Sequence, residues 1–174
     1  NILKFFNHHE CHSAFSFYQS PFKDANIVSI DGRGEQETLT ISKANNKDIK
    51  KILSIDYPHS IGLFYSTFTD FLGFKVNSDE WKVMSLASYS QKKNKYDDLI
   101  KKLIKKQKKG FELDLTYFSY FTFDKQKYMF SKKFISLFGE PRLKDSKIEK
   151  KHKDIAGAMQ RVFIDVCNHI FSIS

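Results

Sequence analysis

The chain has 174 residues, 41 % hydrophobic with 18 Phe, enough for one domain with a real core and too apolar to be disordered. A net charge of +9 invites an anionic partner, but Lys far outnumbers Arg and the bidentate Arg pattern of base readers is missing, so nucleic acid is not the expected partner. No apolar run is long enough to span a membrane, no signal-peptide layout is present, and Cys11 and Cys167 match no zinc or disulfide spacing, which points to a reducing cytoplasm.

In chain order, a short helix is predicted from His8 to about Tyr18, ended by Ser20-Pro21. Asn26 to Asp31, an apolar run closed by Asp-Gly, reads as a buried strand entering a turn. The alternation from Thr38 to Ser42 predicts the returning strand of a hairpin. After a turn at Ala44 to Asp48 a third strand is expected near Ile52 to Ile55. From Ser60 to Phe71 the period becomes helical, with Ile61, Phe64, Tyr65, Phe68 and Leu72 on one side.

Gly73 to Ser90 reads as mixed and loop-like, with a short helical turn at Val83 to Ala87. Tyr96 to Lys108 is predicted as one amphipathic helix, its stripe Tyr96, Leu99, Ile100, Leu103 and Ile104 set in the lysine sleeve KKLIKKQKK. A solvated face over a core stripe explains that sleeve better than a membrane-surface helix does. Glu112 to Phe123 is expected to be a strand followed by a packing loop. The last helix is expected from Ile148 onward, burying Ile155, Met159, Val162, Val166 and Ile170. Strands followed by helices give an α/β class. The first residues and the amphipathic end both read as a piece of something larger.

Two motifs carry chemistry. In NHHECHSAF, His8 and His12 are four residues apart, so on a helix both imidazoles project from one face and can share a transition-metal ion. His9 sits about 100 degrees round the helix and cannot join them. Asp31, at a strand end feeding a glycine turn, is the best third ligand. The spacing alone admits an ordinary polar helix face as well. In DGRGE, Asp31 to Glu35, two glycines allow backbone N–H groups to converge on a phosphate, and they equally allow a plain hairpin.

Taken together, HHECH, SPF at Ser20 to Phe22 and IDGRGE at Ile30 to Glu35 resemble the nodulation-type and antibiotic O-carbamoyltransferase family. The resemblance continues through Tyr57 to Tyr89, Tyr128 to Arg142 and HKDIAGAMQ at His152 to Gln160, in family order over nearly the whole chain. It implies an incomplete ribonuclease-H-like domain of the actin/sugar-kinase/Hsp70 type with additional helices, related to the domain that transfers threonylcarbamoyl to tRNA. It further implies that carbamoyl phosphate and ATP yield carbamoyl adenylate, whose carbamoyl group passes to a hydroxyl of a small-molecule acceptor, a sugar, an aminoglycoside or another natural product.

By the same resemblance His8, His12 and Asp31 bind a divalent metal, usually assigned as iron. Gly32 and Gly34, with Asp31, would approach the nucleotide phosphate. Glu35 would orient the turn or the acceptor. His59 and Lys82 fall at motif positions that fit substrate-pocket roles, and equally a structural His and a Lys paired with Glu80. His152 and Asp154 read as the first turn of the last helix.

The chain departs from the family where SGE becomes Ser78-Asp79-Glu80 and MGLAPYG becomes Met84-Ser85-Leu86-Ala87-Ser88-Tyr89-Ser90. A lost glycine that needed positive φ would leave strain on the order of 1 kcal/mol. Glu10 replaces an apolar residue, which an exposed face tolerates. The family's first strands, a further metal-ligating aspartate and a YrdC-like domain are expected outside this chain, so activity would require those segments in trans. A non-catalytic relic and a tRNA-directed transferase are the competing readings.

Overall fold

The protein is described by a computed structural model over residues 2–46, 48–90, 92–122 and 127–174. Helix α1 (His8–Tyr18) starts where Asn7 caps it, the Asn7 side chain accepting the N–H groups of His9 and Glu10. Strands β1 (Ala25–Ile30), β2 (Glu37–Asn45) and β3 (Asp48–Asp56) form an antiparallel sheet in the order β1-β2-β3. The central strand is buried on both faces from Glu37 to Ser42. Leu39 and Ile41 enter the main core, while Thr40 turns to α1 and bonds His9. Small hydroxyl side chains therefore fit where a helix lies against the sheet.

Helix α2 (Ile61–Phe71) is capped by Ser60, whose hydroxyl accepts the Leu63 N–H. Its stripe Ile61, Phe64, Phe68 and Phe71 is fully buried, each such Phe contributing about 2–3 kcal/mol of transfer free energy. Phe68 and Phe71 meet Phe134 and Phe138 of α5 (Lys132–Phe138) with ring centroids 5.2 to 6.0 Å apart. Helix α6 (Lys150–Ile173) closes the core with Ile155, Met159, Val162, Val166 and Ile170, the predicted face.

The architecture is mixed α/β, and three expectations are corrected. Between Gly73 and Ser90 the helical turn expected at Val83 to Ala87 starts earlier: α3 (Glu80–Ala87) spans two turns, burying Val83, Leu86 and Ala87. The lysine sleeve is not one helix. Helix α4 (Lys95–Lys101) stops, and β4 (Ile104–Gln107) pairs with β5 (Gly110–Leu113) as a hairpin. Gly110 turns the chain at φ +104, and a Cβ there would meet Ile55 Cδ1 at 2.6 Å. The stripe is still buried, so the helical period was satisfied by a helix turn and a strand in succession. The stretch after β5 is a 3₁₀ turn (Leu115–Tyr117) and a bridge between Phe118 and Phe130, and Phe123 lies outside the described residues. No element was predicted for α5.

The strain expected from lost glycines does not arise. Asp79 has φ −110, Ser85 lies inside α3, and Ser90 is not among the non-glycine residues of positive φ, which among the described residues are Asn77 and Asp145. Glu10 is exposed, as its position requires.

Candidate metal centre

The α1 cap and the β1 turn bring the three nominated ligands together. His8 Nε2 lies 2.7 Å from Asp31 Oδ2 and 3.0 Å from His12 Nε2, and His12 Nε2 lies 3.7 Å from Asp31 Oδ2. Each element is anchored by the other. The His8 backbone N–H donates to Glu35 Oε2 at 2.9 Å, and Asn7 Nδ2 donates to Glu37 Oε2 at 3.0 Å. The turn itself is set by Asp31 N–H to Thr38 O and Gly34 N–H to Glu37 O, both 2.9 Å. The Ser60 hydroxyl donates to Gly32 O at 2.7 Å, tying the turn to the start of α2.

The donor set fits a dication. Asp31 Oδ1 accepts the Gly32 N–H at 2.7 Å, leaving Oδ2 toward the histidines. Burial pushes the Asp31 carboxyl up, but the His8 hydrogen bond, the Gly32 N–H and both imidazoles outweigh it and hold it below its usual range. A carboxylate only accepts, so His8 Nε2–H would donate to it, and a nitrogen so used has neither a second proton nor a lone pair left for His12 Nε2, 3.0 Å away. Ligands about 2.1 Å from one ion and at right angles stand about 3.0 Å apart, the spacing of the two imidazole nitrogens. Two imidazoles and a carboxylate suit a transition metal. The side chains are 41, 55 and 33 % exposed for His8, His12 and Asp31, so one side of the cluster faces solvent.

His9 is 1 % exposed on the sheet side, its Nδ1 3.1 Å from Thr40 Oγ1, and burial pushes its pKa down. It stays outside the triad, as the helix period requires. Glu35 braces the turn against the α1 N-terminus. Gly34 makes its close approach to the histidines: a Cβ there would stand 3.0 Å from His9 Cδ2 and 3.2 Å from His8 Cδ2. At Gly32 a Cβ would meet only Leu63 Cδ2, at 3.9 Å.

The other two nominated residues are not brought to the triad. His59 Nδ1 accepts the Leu113 N–H at 3.1 Å, fastening the β4–β5 hairpin. Lys82 Nζ pairs with Asp79 Oδ1 at 2.9 Å rather than with Glu80, and it lines a separate cleft of about 620 Å³ beside Arg142. His152 is a helix-start residue, its Nδ1 accepting the Glu149 N–H at 2.9 Å.

What sequence reasoning missed lies beside Asp31, in a cleft of about 980 Å³ lined by Asp31, Gly32, Arg33, Glu80, Trp81 and Gln160 among others. Arg33 carries its guanidinium 4.4 Å from the Tyr57 ring centroid. Trp81, the sole tryptophan, was an available signal.

The carbamoyltransferase N-terminus family matches residues 1–171. The chain belongs to that family. The chain is 40 % identical over 163 residues to the uncharacterized protein sll1178 of Synechocystis sp., covering 92 % of this chain and 26 % of that protein. It is 35 % identical over 83 residues to nodulation protein NolO of Bradyrhizobium diazoefficiens, covering 48 % and 15 %. Nodulation protein NolNO of Sinorhizobium fredii is 31 % identical over 87 residues, covering 50 % and 13 %. The chain thus spans about a quarter or less of these relatives. Among the described residues, no helix is long and apolar enough to cross a membrane.

Proposed function

We propose that this chain is part of an O-carbamoyltransferase, belonging to a ribonuclease-H-like catalytic domain completed by polypeptide outside it. The reaction moves a carbamoyl group from carbamoyl adenylate, made from carbamoyl phosphate and ATP, to a hydroxyl of a small acceptor. The acceptor O–C bond forms as the C–O bond to the adenylate breaks, AMP departs and the hydroxyl proton is released. The observation that carries this reading is the convergence of His8, His12 and Asp31 at an open edge of a family-matched fold.

His8, His12 and Asp31 would hold a divalent metal, for which iron is the family expectation. Such an ion supplies Lewis-acid polarisation of carbonyl and phosphate oxygens. Gly32 presents bare backbone toward the cleft, which admits an oxygen-rich group close to the turn. Asp31 stays anionic through its bonds to His8 and Gly32. Glu35 and Asn7 hold α1 at a set distance from that turn. The acceptor is taken to be a small molecule.

Metal content after anaerobic purification, comparing the native chain with His12→Ala, tests the reading. Near-stoichiometric iron or another divalent metal in the native chain, lost in the variant, supports it. No retained metal in either, even with the remainder of the protein supplied in trans, favours a non-catalytic relic.

A further inference from the structure

Arg142 is 9 % exposed, and its guanidinium donates to three backbone carbonyls: Nε to Leu72 O at 2.5 Å, Nη1 to Ser146 O at 2.6 Å and Nη2 to Gly73 O at 3.3 Å. The Arg142 backbone N–H donates to Phe71 O, and a Cβ on Gly73 would run into the Arg142 carbonyl. The end of α2 and the 142–148 loop are therefore locked together. Neutral carbonyls satisfy the donors but leave the charge. Among the described residues the guanidinium forms no ion pair, and burial pulls its pKa down against only the longer-range attraction of Asp145. A buried cation without a counter-ion is costly.

Arg142 lines the 620 Å³ cleft that also holds Lys82. Lys75, Lys127 and Lys144 stand around the same cleft, all three exposed. Among the described residues none of the three forms an ion pair. The carboxylates of the lining are largely engaged. Asp79 accepts the Lys82 ammonium at 2.9 Å and the Lys75 N–H at 3.1 Å. Asp70 accepts the Met129 N–H at 2.7 Å, and burial pushes its carboxyl toward the neutral form. Only Asp145 is left, exposed at the rim. Five cations thus face at most three carboxylates, and a concave wall focuses that excess on a small anion.

We propose that this cleft is a phosphate site separate from the metal triad, taking a small phosphate dianion, free or as a phosphomonoester. The two positive charges in excess match one dianion. Lysine ammonium groups meet phosphate as mobile point charges, while Arg142, held by carbonyls, supplies a fixed one. Phe74, Leu143 and Ile148 also line the cleft and give the organic part of an ester an apolar surface. No lining residue belongs to the triad or to the DGRGE turn, so the assignment does not rest on the transfer reaction. It also gives Lys82, a motif residue standing apart from the triad, a ligand to serve.

The chain is titrated at low ionic strength with inorganic phosphate, with glycerol 3-phosphate, and with sodium chloride at matched ionic strength, and followed by two-dimensional NMR of its amides. Phosphate is expected to saturate at millimolar concentration, shifting the amides of Gly73, Lys75, Met129 and Ser146, with no such change in chloride. Lys75→Gln, Lys127→Gln and Lys144→Gln should each weaken binding ~3-fold, and together ~30-fold. Lys108→Gln removes an equally exposed lysine outside the cleft and should leave the affinity unchanged. All of these side chains are exposed, so the variants should keep the native spectrum without ligand. Arg142 is left in place because its carbonyl bonds hold the fold.

Tighter binding of glycerol 3-phosphate assigns the site to an ester, and tighter binding of inorganic phosphate assigns it to the free ion. No saturable shift, the same shifts with chloride, or shifts centred on the Asp31 to Glu35 turn would each overturn the assignment. So would an affinity that falls as far in Lys108→Gln as in the three cleft variants.

Discussion

Asn7 Nδ2 donates to Glu37 Oε2 across 3.0 Å, while the Asn7 Oδ1 accepts the N–H groups of His9 and Glu10 in the first turn of α1. One side chain thus caps the histidine helix and pins it to the central strand. Glu37 is held in turn by Lys51 Nζ at 2.6 Å. Asn7→Ala should cost about 1 kcal/mol from the lost cap and weaken metal binding by roughly tenfold, because His8 loses its fixed starting point. Thermal melting and a metal titration read the two effects separately, and a change in melting with no change in metal affinity would make Asn7 purely structural.

The same carboxylate makes stability pH-dependent. The Lys51 hydrogen bond, with Asn7 second, lowers the Glu37 pKa from 4.5 to about 2 against the opposing effect of burial. A depressed acid stabilises the fold above its unfolded value and loses that contribution as pH falls. The loss should therefore run between pH 4.5 and about 2, amounting to about 2 kcal/mol after allowance for the exposed Lys51 end. Urea unfolding at stepped pH should show this slope, and Glu37→Gln should flatten it.

Two neighbouring glycines should behave oppositely. A Cβ on Gly62 would stand 2.9 Å from Asp31 O and 2.9 Å from Gly32 Cα, so α2 and the turn would have to part. Gly62→Ala is expected to destabilise by about 1–3 kcal/mol and to reduce metal affinity by displacing Asp31. At Gly32 the nearest atom to a Cβ is Leu63 Cδ2 at 3.9 Å, and Gly32→Ala should stay within about 0.5 kcal/mol of the native stability. Equal stabilities for the two variants would contradict this packing.

Away from the site, Arg161 grips Asp97 with two bonds, Nε to Oδ1 at 2.8 Å and Nη2 to Oδ2 at 2.7 Å. Asp97 is 4 % exposed and also accepts the Asn94 N–H at the start of α4. The Arg161 hydrogen bonds hold its carboxyl below the usual range despite burial. Arg161→Ala strands that charge and should cost about 3 kcal/mol, read as a lower urea midpoint. Asp97→Asn keeps the cap and should cost less. The reverse order would mean that the cap, not the ion pair, sets the stability here.

The parts legible in the sequence are those set by neighbours in the chain. Ser20-Pro21 ends α1, the His8/His12 spacing puts two imidazoles on one face, and Asp-Gly marks the β1–β2 turn, because helical period and turn chemistry act over a few residues. The lysine sleeve was misread for the same reason. Leu103 and Ile104 satisfy a helical stripe, and whether they sit on a helix or a strand is decided by distant partners. His169 Nε2 donates to Gln107 O at 2.8 Å and lies 3.1 Å from Gly110 O, holding the hairpin to α6.

The sequence by itself nominated His8, His12 and Asp31, and determined that His9 would be turned away from the other two histidines by the helix period. Only the tertiary structure decided that Lys82 and His59 stand apart from the triad, and that Trp81 and Gln160 stand beside Asp31. Trp81 and Gln160 belong to helices far apart in the chain, and no local spacing encodes their distance. It is set by how α2, α3 and α6 pack against one apolar core, a many-body outcome of burial to which each residue contributes only part.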